Sequence, residues 1–199
     1  MPSDLTVILF DLGGVLLRLR DPLATFELDL DLAEFFKKWI LSPAVRGLES
    51  GDLNTDDFSV AIVKEFALPY SPEEFLRRFE YWPASLFDGV LPVLVSLTGN
   101  YTLALLSNTN PLHWQRKDIV GPLTSRLDHL FLSHETGHLK PDLQAFNQVI
   151  ERLDCGPAAI LFLDDNPLNI DAAVHCGMRA MLTVGVDSLK ENLVRAGVS

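Results

Sequence analysis

The run Val7-Ile8-Leu9-Phe10 stops abruptly at Asp11, with Gly13 and Gly14 close behind. Four apolar residues without polar alternation read as a strand covered on both faces, as in the interior of a parallel sheet. Such sheets collect ligands just beyond the C-terminal ends of their strands, which is where Asp11 would stand. Glycines directly after the strand read as a sharp turn or a close approach of the backbone to something else. Taken alone, the stretch describes equally well a strand followed by an ordinary turn that begins with Asp. The rest of the chain has to decide.

Downstream the pattern changes twice. Between Arg18 and Leu86 no strand stands out, but three helical stripes do: Leu32, Phe35, Phe36 and Trp39; Phe58, Ile62 and Phe66; and Phe75, Phe79 and Trp82. Asn54 or Thr55 suits the start of the second helix, and Ser71-Pro72 the start of the third. From Asp88 onward strands and helices alternate. Helices are expected over residues 90–97, 111–119, 141–153, 167–176 and 188–196, and strands over 101–106, 129–132, 159–163 and 178–184. Alternation at this spacing means parallel βαβ units, which close right-handed into a doubly wound sheet. The expected fold is therefore α/β: a three-layer doubly wound parallel sheet (residues 1–17 and 87–199) with a small helical cap (18–86) inserted after the first strand.

Composition narrows the partners. With 27 acidic against 16 basic residues the net charge is −11, which repels nucleic-acid phosphates and anionic lipid. Neither nucleic acid nor a membrane is expected as a partner. No apolar stretch is long enough to span a bilayer, and no secretory leader is recognisable. The two cysteines, Cys155 and Cys176, show no metal or disulfide spacing and read as reduced thiols of a cytoplasmic protein.

Three more strand ends carry polar clusters. Ser107-Asn108-Thr109-Asn110 follows YTLALL and precedes Pro111, so a hydroxyl and backbone N–H groups would meet at a strand-to-helix turn, which is an anion site. Capping by Asn110 alone would use only one of these four residues. Lys140 lies between the strand at 129–132 and the helix expected from Pro141, where it could neutralise a phosphate or a carboxylate, or simply be a surface lysine. Asp164-Asp165-Asn166 ends the buried run AILFL. Adjacent acids there repel each other unless a cation is present, and hard oxygen donors suit Mg²⁺. Neighbouring strand residues point to opposite faces, so only one of the two is expected to bind metal directly, with Asp165 favoured over Asp164. A carboxylate, an anion cradle, a lysine and an acid pair at one sheet edge form the outline of an active site.

This ordered set resembles the haloacid-dehalogenase-like hydrolase superfamily over essentially the whole chain. FDLGGVLL, LSNTNPLHW, LKPD and FLDDNPLNIDAA are similar to its phosphatases, with sugar-phosphate enzymes of the α-glucose-1-phosphate type closest. The resemblance implies a Mg²⁺-dependent phosphatase acting on a small phosphorylated metabolite, a sugar phosphate favoured. Asp11 would be the nucleophile that carries an aspartyl-phosphate. Ser107, Asn108 (through its backbone) and Lys140 would hold the phosphate. Asp11, Asp165 or Asp164, and the Gly13 carbonyl would hold the metal. One position departs from the pattern: where related phosphatases carry a general-acid Asp, this chain has Gly13. A substrate with a good leaving group, such as an anomeric or acyl phosphate, would tolerate that change.

Two alternatives share the resemblance. Haloacid dehalogenases also lack the second Asp but work without metal, and a silent member would bind a phosphorylated ligand without cleaving it. His134-Glu135-Thr136-Gly137-His138 also fits the H-E-x-x-H zinc pattern, but that motif needs a helix, and too few residues separate it from Pro141. Arg18, Arg46, His113 and Trp114 are candidate substrate contacts or, equally, solvated or packing residues.

Overall fold

The computed structural model describes residues 5–198; residues 1–4 and 199 of the expected core lie outside that range. Seven strands occur: β1 (Val7–Phe10), β2 (Leu17–Leu19), β3 (Pro83–Leu86), β4 (Thr102–Ser107), β5 (His129–Leu132), β6 (Ile160–Asp164) and β7 (Arg179–Leu182). Twelve α-helices intervene among the described residues. In chain order they are α1 (Pro22–Phe26), α2 (Leu32–Leu41), α3 (Pro43–Ser50), α4 (Thr55–Glu65), α5 (Pro72–Glu80), α6 (Val90–Leu97), α7 (Pro111–Trp114), α8 (Lys117–Thr124), α9 (Ser133–Thr136), α10 (Leu143–Leu153), α11 (Pro167–His175) and α12 (Gly185–Arg195). None is long and apolar enough to cross a membrane.

Five strands form one parallel sheet in the order β5-β4-β1-β6-β7. The central strand is buried throughout, as its unbroken apolar run requires. Ile8 and Phe10 face a layer built from α6, α8 and α12, through Leu94, Leu123 and Leu189. Val7 and Leu9 face α10 and α11, through Phe146, Val149 and Ala173. The chain leaves β1 for β4 on one side and returns to β6 on the other, so the winding reverses at β1. Its C-terminal end is the crevice where such sheets bind ligands.

Helices α1–α5 enclose a separate core of large rings, among them Phe26, Phe35, Trp39, Phe58, Phe75, Phe79 and Trp82. Their starts follow the expected chemistry: Asn54 caps α4 and Ser71 caps α5 with Pro72 in the first turn. Two expectations change. First, β2 and β3 pair antiparallel, Leu17 with Leu86 and Arg18 with Ser85, joining the chain as it enters and leaves the helical unit. They are too short, at three and four residues, and too mixed in polarity to show as strands in the sequence. Second, only Phe35 and Trp39 of the α2 stripe are buried, while Leu32 and Phe36 are 47% and 37% exposed.

Other boundaries move by local chemistry. The helix expected over 111–119 is two, α7 and α8, broken at Gln115-Arg116. Pro141 follows a cis peptide bond, and α10 starts two residues later, at Leu143.

Candidate active site

Asp11, the first residue after β1, donates its N–H to the Leu163 carbonyl at 2.9 Å, which fixes it beside the end of β6. Lys140 reaches in from the segment after α9. Its ammonium donates to Asp11 Oδ1 at 2.5 Å and to Asp164 Oδ2 at 2.6 Å, and all three groups are buried. The Lys140 backbone is clamped by the Asn108 side chain: the Lys140 N–H donates to Asn108 Oδ1 and Asn108 Nδ2 donates to the Lys140 carbonyl, both at 2.9 Å. Ser133 locks the same turn, accepting from the Thr109 N–H at 2.9 Å and donating to its carbonyl at 3.1 Å. Ser107 is buried at the end of β4, and its hydroxyl makes only a long 3.4 Å contact within the turn. It stays available to a ligand.

The acid pair behaves differently from the expected alternation. Ligand oxygens of Asp11, Asp164 and Asp165 all lie within 4.8 Å of one another. β6 ends at Asp164, so Asp165 sits beyond the strand, where alternate-face geometry no longer applies. The two acids still have different surroundings. Asp164 is saturated: it accepts from Lys140, from the Asn166 N–H at 2.8 Å, and from Asn169 Nδ2 at 2.9 and 3.0 Å. Asp165 is exposed and sits against Gly14. Asn169 was missed in the sequence, although an Asn in the first turn of the helix after an acid pair points back toward the strand end.

The two glycines also differ. Gly14 has φ 76°, and a Cβ there would lie 2.0 Å from Asp165 Oδ2. Gly13 has no such requirement, since its nearest neighbour to a Cβ would be a Leu19 methyl at 3.6 Å. The Gly14 carbonyl accepts from the Gly185 N–H at 2.7 Å, whereas the Gly13 carbonyl accepts no hydrogen bond among the described residues. It remains available to a cation.

Electrostatics describe a site short of positive charge. Burial pushes Asp11 up to about 7; Lys140 opposes this, while Asp164 and Asp165 add to it. Burial and the Asp164 charge push Asp165 up to about 6. Burial works against the Lys140 charge, but Asp11 and Asp164 more than offset it and hold the proton on. Three carboxylates facing one ammonium leave two negative charges unbalanced, which a divalent cation with hard oxygen ligands matches. The donor set therefore fits Mg²⁺.

The other candidates are occupied elsewhere. Arg18 stacks over Phe87, 4.8 Å from the ring centroid. Trp114 is packed in the core. His113 Nε2 lies 2.7 Å from the Phe79 carbonyl and Nδ1 3.0 Å from Asn110 Nδ2, so it joins α7 to α5. The helix carrying His134 and Glu135 lasts one turn and ends at Gly137 before His138, so the two histidines share no helical face.

A buried Asp–Lys–Asp bridge beside a third carboxylate, at the C-terminal edge of a doubly wound parallel sheet, defines the site. The haloacid dehalogenase-like hydrolase family profile matches residues 5–177, and the chain belongs to that family. It is 29% identical over 184 residues to a D-ribitol-5-phosphate phosphatase of Bacteroides thetaiotaomicron, covering 85% of this chain and 87% of the relative. It is 31% identical over 115 residues to flavin mononucleotide hydrolase 1 of Arabidopsis thaliana, covering 58% of this chain and 47% of that protein. Its fold matches a haloacid dehalogenase family enzyme of B. thetaiotaomicron crystallised with magnesium and inorganic phosphate, with a TM-score of 0.75 at 24% identity over 90% of this chain and 94% of the other.

Proposed function

We propose that this protein is a Mg²⁺-dependent, cytoplasmic phosphatase of small phosphorylated metabolites, sugar phosphates favoured, acting through an aspartyl-phosphate on Asp11. The observation that carries this reading is Lys140 bridging Asp11 and Asp164 at 2.5 and 2.6 Å with Asp165 beside them. Two relatives, one named a D-ribitol-5-phosphate phosphatase and the other a flavin mononucleotide hydrolase, support it.

Lys140 engages Oδ1 of Asp11, which orients the carboxylate and leaves Oδ2 to attack phosphorus. The bond from phosphorus to the leaving oxygen breaks, and water later cleaves the acyl phosphate to free phosphate and Asp11. Ser107, the Asn108 backbone and Lys140 hold the non-bridging oxygens as charge redistributes. Mg²⁺, held by Asp11, Asp165 and the Gly13 carbonyl, would offset repulsion between the incoming dianion and Asp11. Asp164 orients Lys140 from behind. Helices α1–α5 act as a cap over the sheet edge, tethered by β2 and β3. With Gly13 in place of an acidic side chain, the leaving oxygen receives no proton from that position, which favours anomeric and acyl phosphates. The surplus of acid at the site supports a phosphatase over a metal-free dehalogenase.

Phosphate release from a panel of sugar, polyol and acyl phosphates, with and without Mg²⁺, tests the reading. Expected are metal-dependent turnover and a loss of at least ~10³-fold in Asp11→Asn. Turnover that survives Asp11→Asn would overturn it. Comparing a sugar 1-phosphate with its 6-phosphate isomer tests the leaving-group argument, which fails if the 6-phosphate is hydrolysed faster.

A further inference from the structure

Glu49 is a half-buried carboxylate that the chemistry above does not use. It lies in the last turn of α3, whose buried residues Ala44, Val45 and Leu48 face the aromatic core of the cap. Another side of the same helix is docked on the sheet domain. Arg46, three residues before Glu49 and so on its face of the helix, donates to Asp142 at 2.9 Å. Gly51, just past the helix end, has φ 81°, and a Cβ there would lie 2.6 Å from the His134 carbonyl oxygen. Both contacts fall on the segment between β5 and α10, which also carries Lys140. Three residues after Arg46, Glu49 lies on the docked side of the helix, toward the segment that carries Lys140, and the charges that act on it are those of Lys140, Arg46 and Asp11. Neither cation is spent on it: Arg46 is paired with Asp142, and Lys140 with Asp11 and Asp164.

In the reaction proposed above the phosphate would be held on the sheet side of the crevice, among Ser107, Lys140 and Asp11. Its leaving group must therefore extend toward the cap, where Glu49 is the acidic side chain of the docked helix. A carboxylate there repels a second anionic group and accepts hydrogen bonds from hydroxyls. We propose that Glu49 is the specificity-determining residue for the leaving group, accepting hydrogen bonds from the hydroxyls of an uncharged, polyhydroxylated alcohol such as a sugar or polyol. This assignment rests on the phosphatase reading of Asp11 and adds to it a residue and a chemical class. The charge of Glu49 is costly where it stands: burial pushes its carboxyl up to about 7, against the pull of Lys140 and Arg46. Hydroxyl donors on a bound alcohol would provide hydrogen-bond partners that Glu49 does not find among the described residues.

The test compares wild type, Glu49→Gln and Glu49→Ala on glucose 1-phosphate, whose leaving group is hydroxylated, and on acetyl phosphate, whose leaving group has no hydroxyl. Expected is a rise in KM for glucose 1-phosphate of about tenfold or more in Glu49→Ala, smaller in Glu49→Gln. Turnover of acetyl phosphate should stay within about threefold of wild type. Equal losses on both substrates, or none on either, overturn the assignment. Should Glu49→Ala melt early, the isosteric Glu49→Gln decides. A wild type that cleaves acetyl phosphate but no polyol or sugar phosphate overturns the assignment and leaves the phosphatase reading standing. Inactivity on acetyl phosphate and on every phosphate ester overturns both.

Discussion

Gly13 and Gly14 stand side by side, yet only one is required by geometry. Gly14→Ala would place a methyl 2.0 Å from Asp165 Oδ2 at a φ of 76°, so Asp165 must move. We expect weaker Mg²⁺ binding by calorimetry in that variant. Gly13 is open to a side chain, and Gly13→Asp restores a carboxyl two residues after the nucleophile. The expected gain is ~10-fold or more in kcat for alkyl phosphates and little for acyl phosphates, measured by phosphate release. At this scale Asp11, Ser107 and the Asp164-Asp165 pair were legible because each follows directly on an apolar run, and Lys140 because it stands between a strand and the next helix. The Asn108 clamp and Asn169 were not, because their meaning lies in partners 32 and 5 residues away that only folding brings into contact. Replacing Asn169 by Leu leaves a buried carboxylate short of two hydrogen bonds, and ~1–3 kcal/mol of stability should be lost in denaturant melts.

Among the elements, α7 shows how a short helix can tie α5 to the sheet domain. Its N-cap Asn110 accepts from the His113 N–H at 3.1 Å, and its side-chain amide faces His113 Nδ1. The His113 Nε2 proton goes to the Phe79 carbonyl, so the neutral ring fits and a second proton would point at the Asn110 amide. Burial accordingly pushes His113 down from 6.5 to about 4. With the folded pKa depressed, this histidine contributes its full stability above pH 6.5 and loses it as pH falls through that window toward 4. Between pH 7 and 4 the loss reaches about 3 kcal/mol, and His113→Gln should flatten the dependence of Tm on pH. Helical stripes and caps were legible in the sequence here. The pairing of β2 with β3 was not, since three- and four-residue strands are stabilised by each other rather than by a pattern of their own.

For the whole molecule, the unbalanced carboxylates predict linkage between folding and metal. Mg²⁺ at a hundredfold excess over Kd should stabilise the fold by about 2.7 kcal/mol, roughly 5–10 °C in Tm for a chain of this size, and Asp165→Asn should remove the shift. The aromatic cap core is a separate source of stability: Phe58, fully buried and packed 5.2 Å centroid-to-centroid on Phe79, should cost ~3–5 kcal/mol as Ala.

The sequence by itself determined the doubly wound sheet, its helical insertion and the strand ends that carry the chemistry. These follow from local periodicity and from polar residues that a buried strand admits only at its end. Tertiary structure alone decided that Asp164 serves Lys140 while Asp165 stays open, that Gly14 rather than Gly13 makes the close approach, and that α3 docks on the segment carrying Lys140. Each of these depends on which distant groups share a few ångströms, and spacing along the chain carries no record of that.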